Sequence, residues 1–495
     1  MKSTFLALVF ANQATAALLP YINITLTPSL ARDNGTTSLS GQLTTDIAFK
    51  ANETVVVLPL TIAGQPSAQY NSESLTATDG AGNLPLVTTD ATGSSGLASR
   101  FWIATRDVVP PVAVSFTAYP REVNEMTKMG PLFDIRENAG GILGSIWTLI
   151  PAPDDSSTKF QITLSWNLST SPSGTRGVWT WGEGPQPVTI NGTTDDMLNT
   201  FFAAGPIHSS SSASEDSQFN MYWLEQPPFN VTYLASFIKD FYDYSAKFWQ
   251  DDGTKPYKVF IRYNENVGTG GTALYNSFTF GWHDRNKTTT DDTELLLAHE
   301  ITHNWPYIYN GDLSDQTRYA EGTAEFYSLR NLWRAGLLST SEYVTAMNTK
   351  AIAYYQNPSI NLTDQEAVDQ SWTVSTAQTV PYGRGLIYLA NVDAEVRARW
   401  NNTRSLDDVV VELMNLCRAD DPSCTTDAYF DLLTKYAGSS AVDEYKTVAS
   451  GDPVIQPREG SLGPCFEAFQ SYTNATVWTW KLRDGFDIDD EECLL

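Results

Sequence analysis

The chain has 495 residues, 42% hydrophobic and 12% aromatic, with 14 Trp and 23 Tyr. That length allows two or three domains around a large core, and the aromatic content excludes a disordered chain. A formal charge of −26 and a sequence pI near 4.4 argue against nucleic acid and anionic membranes as partners, leaving an acidic, solvated surface.

The first residues, MKSTFLALVFANQATAALLP, read as a secretory leader: Lys2, an apolar run from Phe5 to Phe10, then Ala14-Thr15-Ala16 as a cleavage site. Removal of residues 1–16 and a secreted, extracellular chain are therefore expected. The apolar run is too short to span a bilayer, and no later stretch reaches about eighteen uninterrupted apolar residues, so no membrane partner is expected. Sequons follow at Asn23, Asn34, Asn52, Asn167, Asn191, Asn230, Asn286, Asn361, Asn401 and Asn474, candidate N-glycosylation sites on such a chain.

From 17 to about 175 the signal is β. NITLTPSL, ETVVVLPLTI, SRFWIATRD, VAVSFTAYPREV and KFQITLSWNLS are short β-branched or aromatic runs parted by Gly, Asn, Asp and Pro clusters. They predict an antiparallel sandwich or twisted sheet. No histidine falls in this region, so packing and substrate presentation are its expected tasks.

SPSGTRGVWTWGEGPQP then reads as a transition, and IHSSSSASEDSQ, from Ile207 to Gln218, as an exposed loop with His208 at the surface. Val231 to Gln250 predicts a helix with an aromatic core face. YKVFIRY predicts a strand, and GTGGTALYNSF an extended edge after a Gly-rich bend. That Gly run lacks the Lys-Ser/Thr ending of a phosphate loop. His283 is expected in a loop, with a place at a cleft rim left open.

TELLLAHEITHNWPYIYNGDLSDQTRYAEGTAEFYSLR carries the chemistry. It holds His299, Glu300 and His303 as H-E-x-x-H, and seventeen residues separate His303 from Glu321. Leu295, Leu296, Leu297, Ala298, Ile301 and Trp305 form an apolar stripe of helical spacing, Asp291 with Glu294 reads as a capping box, and Pro306 ends the helix. Residues four apart share a helical face, so the two imidazoles converge on one point. A second helix is expected from about Thr317 to Arg334. Glu321 on its first turns would complete a three-ligand zinc site with an open fourth position, the arrangement of a catalytic zinc, and Glu300 would serve as general base. The plain alternative, two surface histidines on an amphipathic helix, leaves Glu321 and the flanking residues as coincidences.

Beyond this the chain turns helical through SEYVTAMNTKAIAYYQ, GLIYLANVDAEVRARW, SLDDVVVELMNLC and TTDAYFDLLTKYAG, with Ser405 and Asp408 capping the third. The four cysteines, Cys417, Cys424, Cys465 and Cys493, all lie in the last fifth of the chain. Two disulfides are expected, most simply Cys417–Cys424 and Cys465–Cys493, out of three possible connectivities. The fold class is α+β and multidomain, divided as leader 1–16, β-rich domain 17–175, catalytic domain 176–450 and a disulfide-pinned tail 451–495.

HEITHNWP with AEGTAEFY resembles the gluzincin metallopeptidases, and within them the glycyl aminopeptidase family. GGTALYNSF, PYGRGLIYLANVDAEVR and SLDDVVVELM carry the likeness further, over roughly residues 165 to 440. The resemblance implies a β-rich N-terminal domain, a thermolysin-like catalytic domain and one zinc ion per chain. It places the zinc ligands on His299, His303 and Glu321, the general base on Glu300 and a transition-state tyrosine on Tyr382. It also implies substrate contacts at Gly270, Gly271 and Arg384. Related aminopeptidases often have eighteen residues where this chain has seventeen, which keeps Glu325 in view as a ligand or as a carboxylate behind one. The Glu that would hold a substrate's free amino group is replaced in the stretch Gly270-Gly271-Thr272-Ala273-Leu274. The short cystine-bearing tail after the helical region is not expected to form the PDZ module of some relatives.

The expected activity is hydrolysis of peptide bonds in peptide or protein substrates, by an aminopeptidase. A zinc endopeptidase, or a secreted binding glycoprotein on a metallopeptidase fold, are the alternatives. Side-chain preference, oligomeric state and biological substrate leave no mark in the sequence.

Overall fold

The computed structural model describes residues 19–30, 36–93, 96–127, 130–211, 218–251, 255–265, 269–283, 290–306, 308, 313–371, 373–418, 424–472, 475–487 and 493. The expected leader and the sequons Asn34, Asn286 and Asn474 lie outside them. No helix among the described residues is long and apolar enough to cross a membrane.

The N-terminal part is built on strict alternation. In Tyr21–Ser29, Ile22, Ile24 and Leu26 are buried while Asn23 and Thr25 face solvent, the period of a half-buried strand. This strand pairs antiparallel with Ser38–Thr45 (Ile24 opposite Leu43) and parallel with Phe160–Trp166 (Ile24 opposite Leu164) in a seven-stranded sheet. Phe160–Trp166 also pairs with Val188–Gly192, so the sheet draws on residues past 175. The expected transition is itself β. Arg176–Trp179 pairs with Phe201–Gly205 in a five-stranded sheet, because Val178 and Trp179 are fully buried core residues. The N-terminal core thus runs from Ile22 to Ala204.

A smaller apolar cluster joins this part to the next, packing Phe133, Phe201 and Ala203 against Tyr222, Leu224 and Phe260. Beside it Asp134 is buried and pairs with Arg136 of its own half (2.7 Å) and Arg262 of the other (2.8 Å).

The second half opens on a five-stranded sheet in the order His208–Ser211, Phe219–Trp223, Tyr257–Tyr263, Ser277–Trp282, Gly270–Leu274. Its centre is parallel and buried on both faces, as in Tyr257–Ile261. Gly270–Leu274 runs antiparallel to Ser277–Trp282 and forms the sheet edge. Against the sheet pack the helix Val231–Phe248 and then the HExxH helix, Thr290–Thr302. The Glu321 helix, Leu313–Arg334, starts four residues earlier than the pattern predicts and crosses the Tyr382 helix, Val380–Arg399.

Glycines set that crossing. A Cβ on Gly322 would stand 2.5 Å from Gly385 Cα, so the two backbones touch only because neither residue has a side chain. Their places in the sequence, directly after Glu321 and three after Tyr382, thereby bring those two side chains to one site.

Both disulfides are found, Cys417–Cys424 and Cys465–Cys493. The C-terminal hairpin, Phe466–Tyr472 with Thr476–Leu482, is held to the helix Thr340–Tyr355 by Asn348, which bonds both the carbonyl (2.8 Å) and the N–H (2.7 Å) of Trp480.

Candidate active site

Burial of Leu297, Ala298, Ile301 and Trp305, each fully enclosed, fixes the roll of the HExxH helix and turns its polar face toward a cavity of about 1350 Å³. The helix ends at Thr302, and His303 sits in the turn directly after it, ahead of Pro306. The rings of His299 and His303 lie 4.9 Å apart at 84°.

Their Nε2 atoms are 3.2 Å apart, and Glu321 Oε2 is 3.3 Å from the first and 3.4 Å from the second. Three donors around a tetrahedral zinc, at bond lengths of roughly 2.0–2.1 Å, are separated by about 3.3 Å. The observed triangle has that size. Glu321 Oε2 is also buried without a hydrogen-bond partner among the described residues, a cost that a bound cation would remove. The residues therefore fit a zinc ion with three protein ligands.

Glu325 stands outside this triangle. Its Oε1 is 3.6 Å from His299 Nδ1, the nitrogen facing away from the cluster, and 2.9 Å from Lys350 Nζ. The carboxylate kept in view as a ligand thus lies behind His299.

Charges in the cluster respond to one another. Burial opposes ionisation of Glu321, but His303 and His299 outweigh it and hold the carboxyl well below its usual range. Burial likewise opposes the His303 cation, and the Glu321 carboxylate overcomes it, pushing the imidazole up to about 9. For Glu300 burial wins and raises the carboxyl, although both imidazoles pull the other way. Tyr382 is raised well above an ordinary phenol by burial and then by the Glu321 and Glu300 carboxylates, so it remains a donor. Its ring lies parallel to His299, with centroids 5.5 Å apart.

Gly271 lines the cavity on the edge strand, where a Cβ would stand 2.3 Å from the Phe278 ring and 3.2 Å from Glu300 Oε1. Only glycine lets the strand pass this close. Gly270 precedes it on the same strand and is not among the lining residues. Arg384 departs from expectation: it is 1% exposed, bonds Asp364 Oδ1 (2.5 Å) and the carbonyls of Ile360 and Leu362, and takes no part in the cavity. The pairing is long-range, with Arg318 bound to the other Asp364 oxygen, and nothing near Arg384 in sequence announces it. His208 is exposed and stacks on Trp223, while His283 stacks on Tyr263 and does not line the cavity.

Sequence reasoning missed the N-terminal contribution. Pro131, Phe133, Asp196 and Asn199 form part of the cavity wall. Leu132 N–H donates to Thr272 Oγ1 at 2.8 Å, and Tyr275 N–H donates to the Asn199 carbonyl at 2.9 Å. On the far side Trp305 Nε1 donates to Asp251 at 2.9 Å. No local motif marks any of these contacts.

No family model matches the chain, and no curated protein matches it. Solved structures do. An aminopeptidase N family protein of Idiomarina loihiensis is similar over 92% of this chain and 81% of its own, with a TM-score of 0.66 and 14% identity. An M1 zinc metallopeptidase of Deinococcus radiodurans gives a TM-score of 0.54 at 13% identity, covering 89% of this chain and 95% of that one. A mutant of the latter, bound to a Tyr-Ser-Ala substrate, gives 0.54 and 13% over 89% and 96%. The likeness establishes the architecture: a two-domain α+β fold, an N-terminal β-sheet domain followed by a helical catalytic domain, like that of M1 peptidases. With it stands a candidate His-His-Glu zinc site.

Proposed function

We propose that the protein is a secreted, zinc-dependent peptidase that trims peptides from the N-terminus. The donor triangle of His299, His303 and Glu321 beside a half-buried Glu300 at the cavity wall carries this reading. Zinc held there would polarise the scissile carbonyl and lower the pKa of water toward neutrality. Glu300, its carboxylate made more basic by burial, takes a proton from the attacking water and passes it to the leaving nitrogen. Tyr382 keeps its proton and donates a hydrogen bond to the carbonyl oxygen as charge grows there. The edge strand carrying Gly271 offers unpaired backbone groups to an extended peptide. Among gluzincins, GGTALYNSF and PYGRG support an affinity with the glycyl aminopeptidases.

Ala273 favours a second reading. A free ammonium needs a carboxylate partner, and this position supplies none, which suits an endopeptidase. Secretion is supported by the two disulfides and by the seven described sequon asparagines, all exposed.

Zinc content by elemental analysis, together with chelator-sensitive hydrolysis of short peptides, tests the reading; tripeptides are apt probes because the Deinococcus radiodurans mutant holds one. Stoichiometric zinc with no hydrolysis of any peptide would favour the binding glycoprotein instead. Comparing free-amine with N-acetylated peptides separates the two peptidase readings.

A further inference from the structure

We propose that Lys350, on the helix Thr340–Tyr355, is a positioning residue for the metal site, acting through Glu325 on His299; this rests on the zinc reading above. Glu325 lies one helical turn past Glu321, and its side chain is only 7% exposed. A single oxygen, Oε1, meets both Lys350 Nζ at 2.9 Å and the direction of His299 Nδ1 at 3.6 Å. Nδ1 is buried without a hydrogen-bond partner among the described residues, while Nε2 of the same ring belongs to the donor triangle. An imidazole that gives Nε2 to a metal carries its proton on Nδ1, and the group accepting that proton fixes the ring and raises its basicity. Closing 3.6 Å to a hydrogen bond takes a shift of a few tenths of an ångström.

Glu325 would be poorly placed without Lys350. It is a third acid beside Glu300 and Glu321, and its charge is among those that act on Glu300. A buried carboxylate in that company needs a cation, or it turns away toward water. Lys350 supplies the cation from outside the cluster, its side chain 37% exposed and reaching inward along the helix surface. Neither residue touches the cavity.

The test is zinc affinity of the full-length protein, measured by competition with a chromophoric chelator after metal removal. Glu325→Gln should weaken binding roughly 10- to 100-fold and Lys350→Met about 10-fold, while Lys350→Arg stays near the parent value. Metal-free Lys350→Arg should unfold like the parent, whereas Lys350→Met should lose some stability because the buried Glu325 carboxylate loses its cation. Parent-like affinity in Lys350→Met overturns the proposal. So does a loss that Lys350→Arg fails to restore. Failure of the parent protein to bind zinc at all would instead overturn the reading of the site itself.

Discussion

The ring of Tyr382 lies parallel to the imidazole of His299, with centroids 5.5 Å apart and planes at 9°. Tyr382 thus faces the candidate metal cluster from the helix that crosses Glu321's own. Tyr382→Phe removes only the hydroxyl. Turnover should fall roughly 100- to 1000-fold, as for loss of an oxyanion donor, while KM and zinc content change little. Measured kcat and metal stoichiometry check this, and loss of zinc in the variant would assign the hydroxyl to holding Glu321 instead.

Glu300→Gln keeps the shape of the side chain and removes its ability to accept a proton. The variant should retain zinc and lose at least about 100-fold in kcat. Near-parent activity would exclude Glu300 as the base.

The contact of Gly322 with Gly385 is backbone against backbone, so neither side can give way. Alanine gains up to about 1 kcal/mol in helix propensity but meets an overpacking cost of about 1–3 kcal/mol. Gly322→Ala should therefore lower stability by up to about 2 kcal/mol net and weaken zinc binding together with turnover. Denaturant unfolding and metal titration of one preparation test both effects.

Lys258 is buried, and burial, partly offset by Glu183, brings its ammonium down to about 8. A lysine whose folded pKa is depressed destabilises the fold most below that pKa, and the penalty fades as pH rises toward 10.5. Asn220 Oδ1, which accepts from Lys258 Nζ at 2.7 Å, also accepts from the Tyr222 hydroxyl at 3.2 Å, so it keeps a partner if the lysine is lost. Lys258→Met should be more stable than the parent at pH 7, by at most about 3 kcal/mol. The difference should shrink between pH 8 and 10.5. A pH-independent difference in unfolding free energy would refute it.

Much of the site was legible because its logic is local. The four-residue step from His299 to His303 fixes a shared direction on any helix, and Glu321 announces itself by the glycine that follows. The size of the donor triangle needs no more than these two helices meeting. Arg384 shows the opposite case. Beside Tyr382 it looks available to a substrate, but Asp364, twenty positions earlier, holds it in the interior. The stretch around Val178 and Trp179 looks like a transition because its strands are short and its glycines frequent, whereas distant pairing with Phe201–Gly205 decides its state. Lys350 carries no local signature, since its role depends on how one helix packs beside another.

One hydrogen bond bears on how the molecule can be divided. The edge strand is propped at Thr272 by the backbone of Leu132, a partner 140 positions away on the other side of the junction. A fragment cut to keep only the helices and their sheet would retain every metal donor, yet lose both that prop and one wall of the chamber. On the proposed reading, such a truncated piece should load zinc while handling peptides poorly, because the β-rich half supplies part of the candidate site's wall.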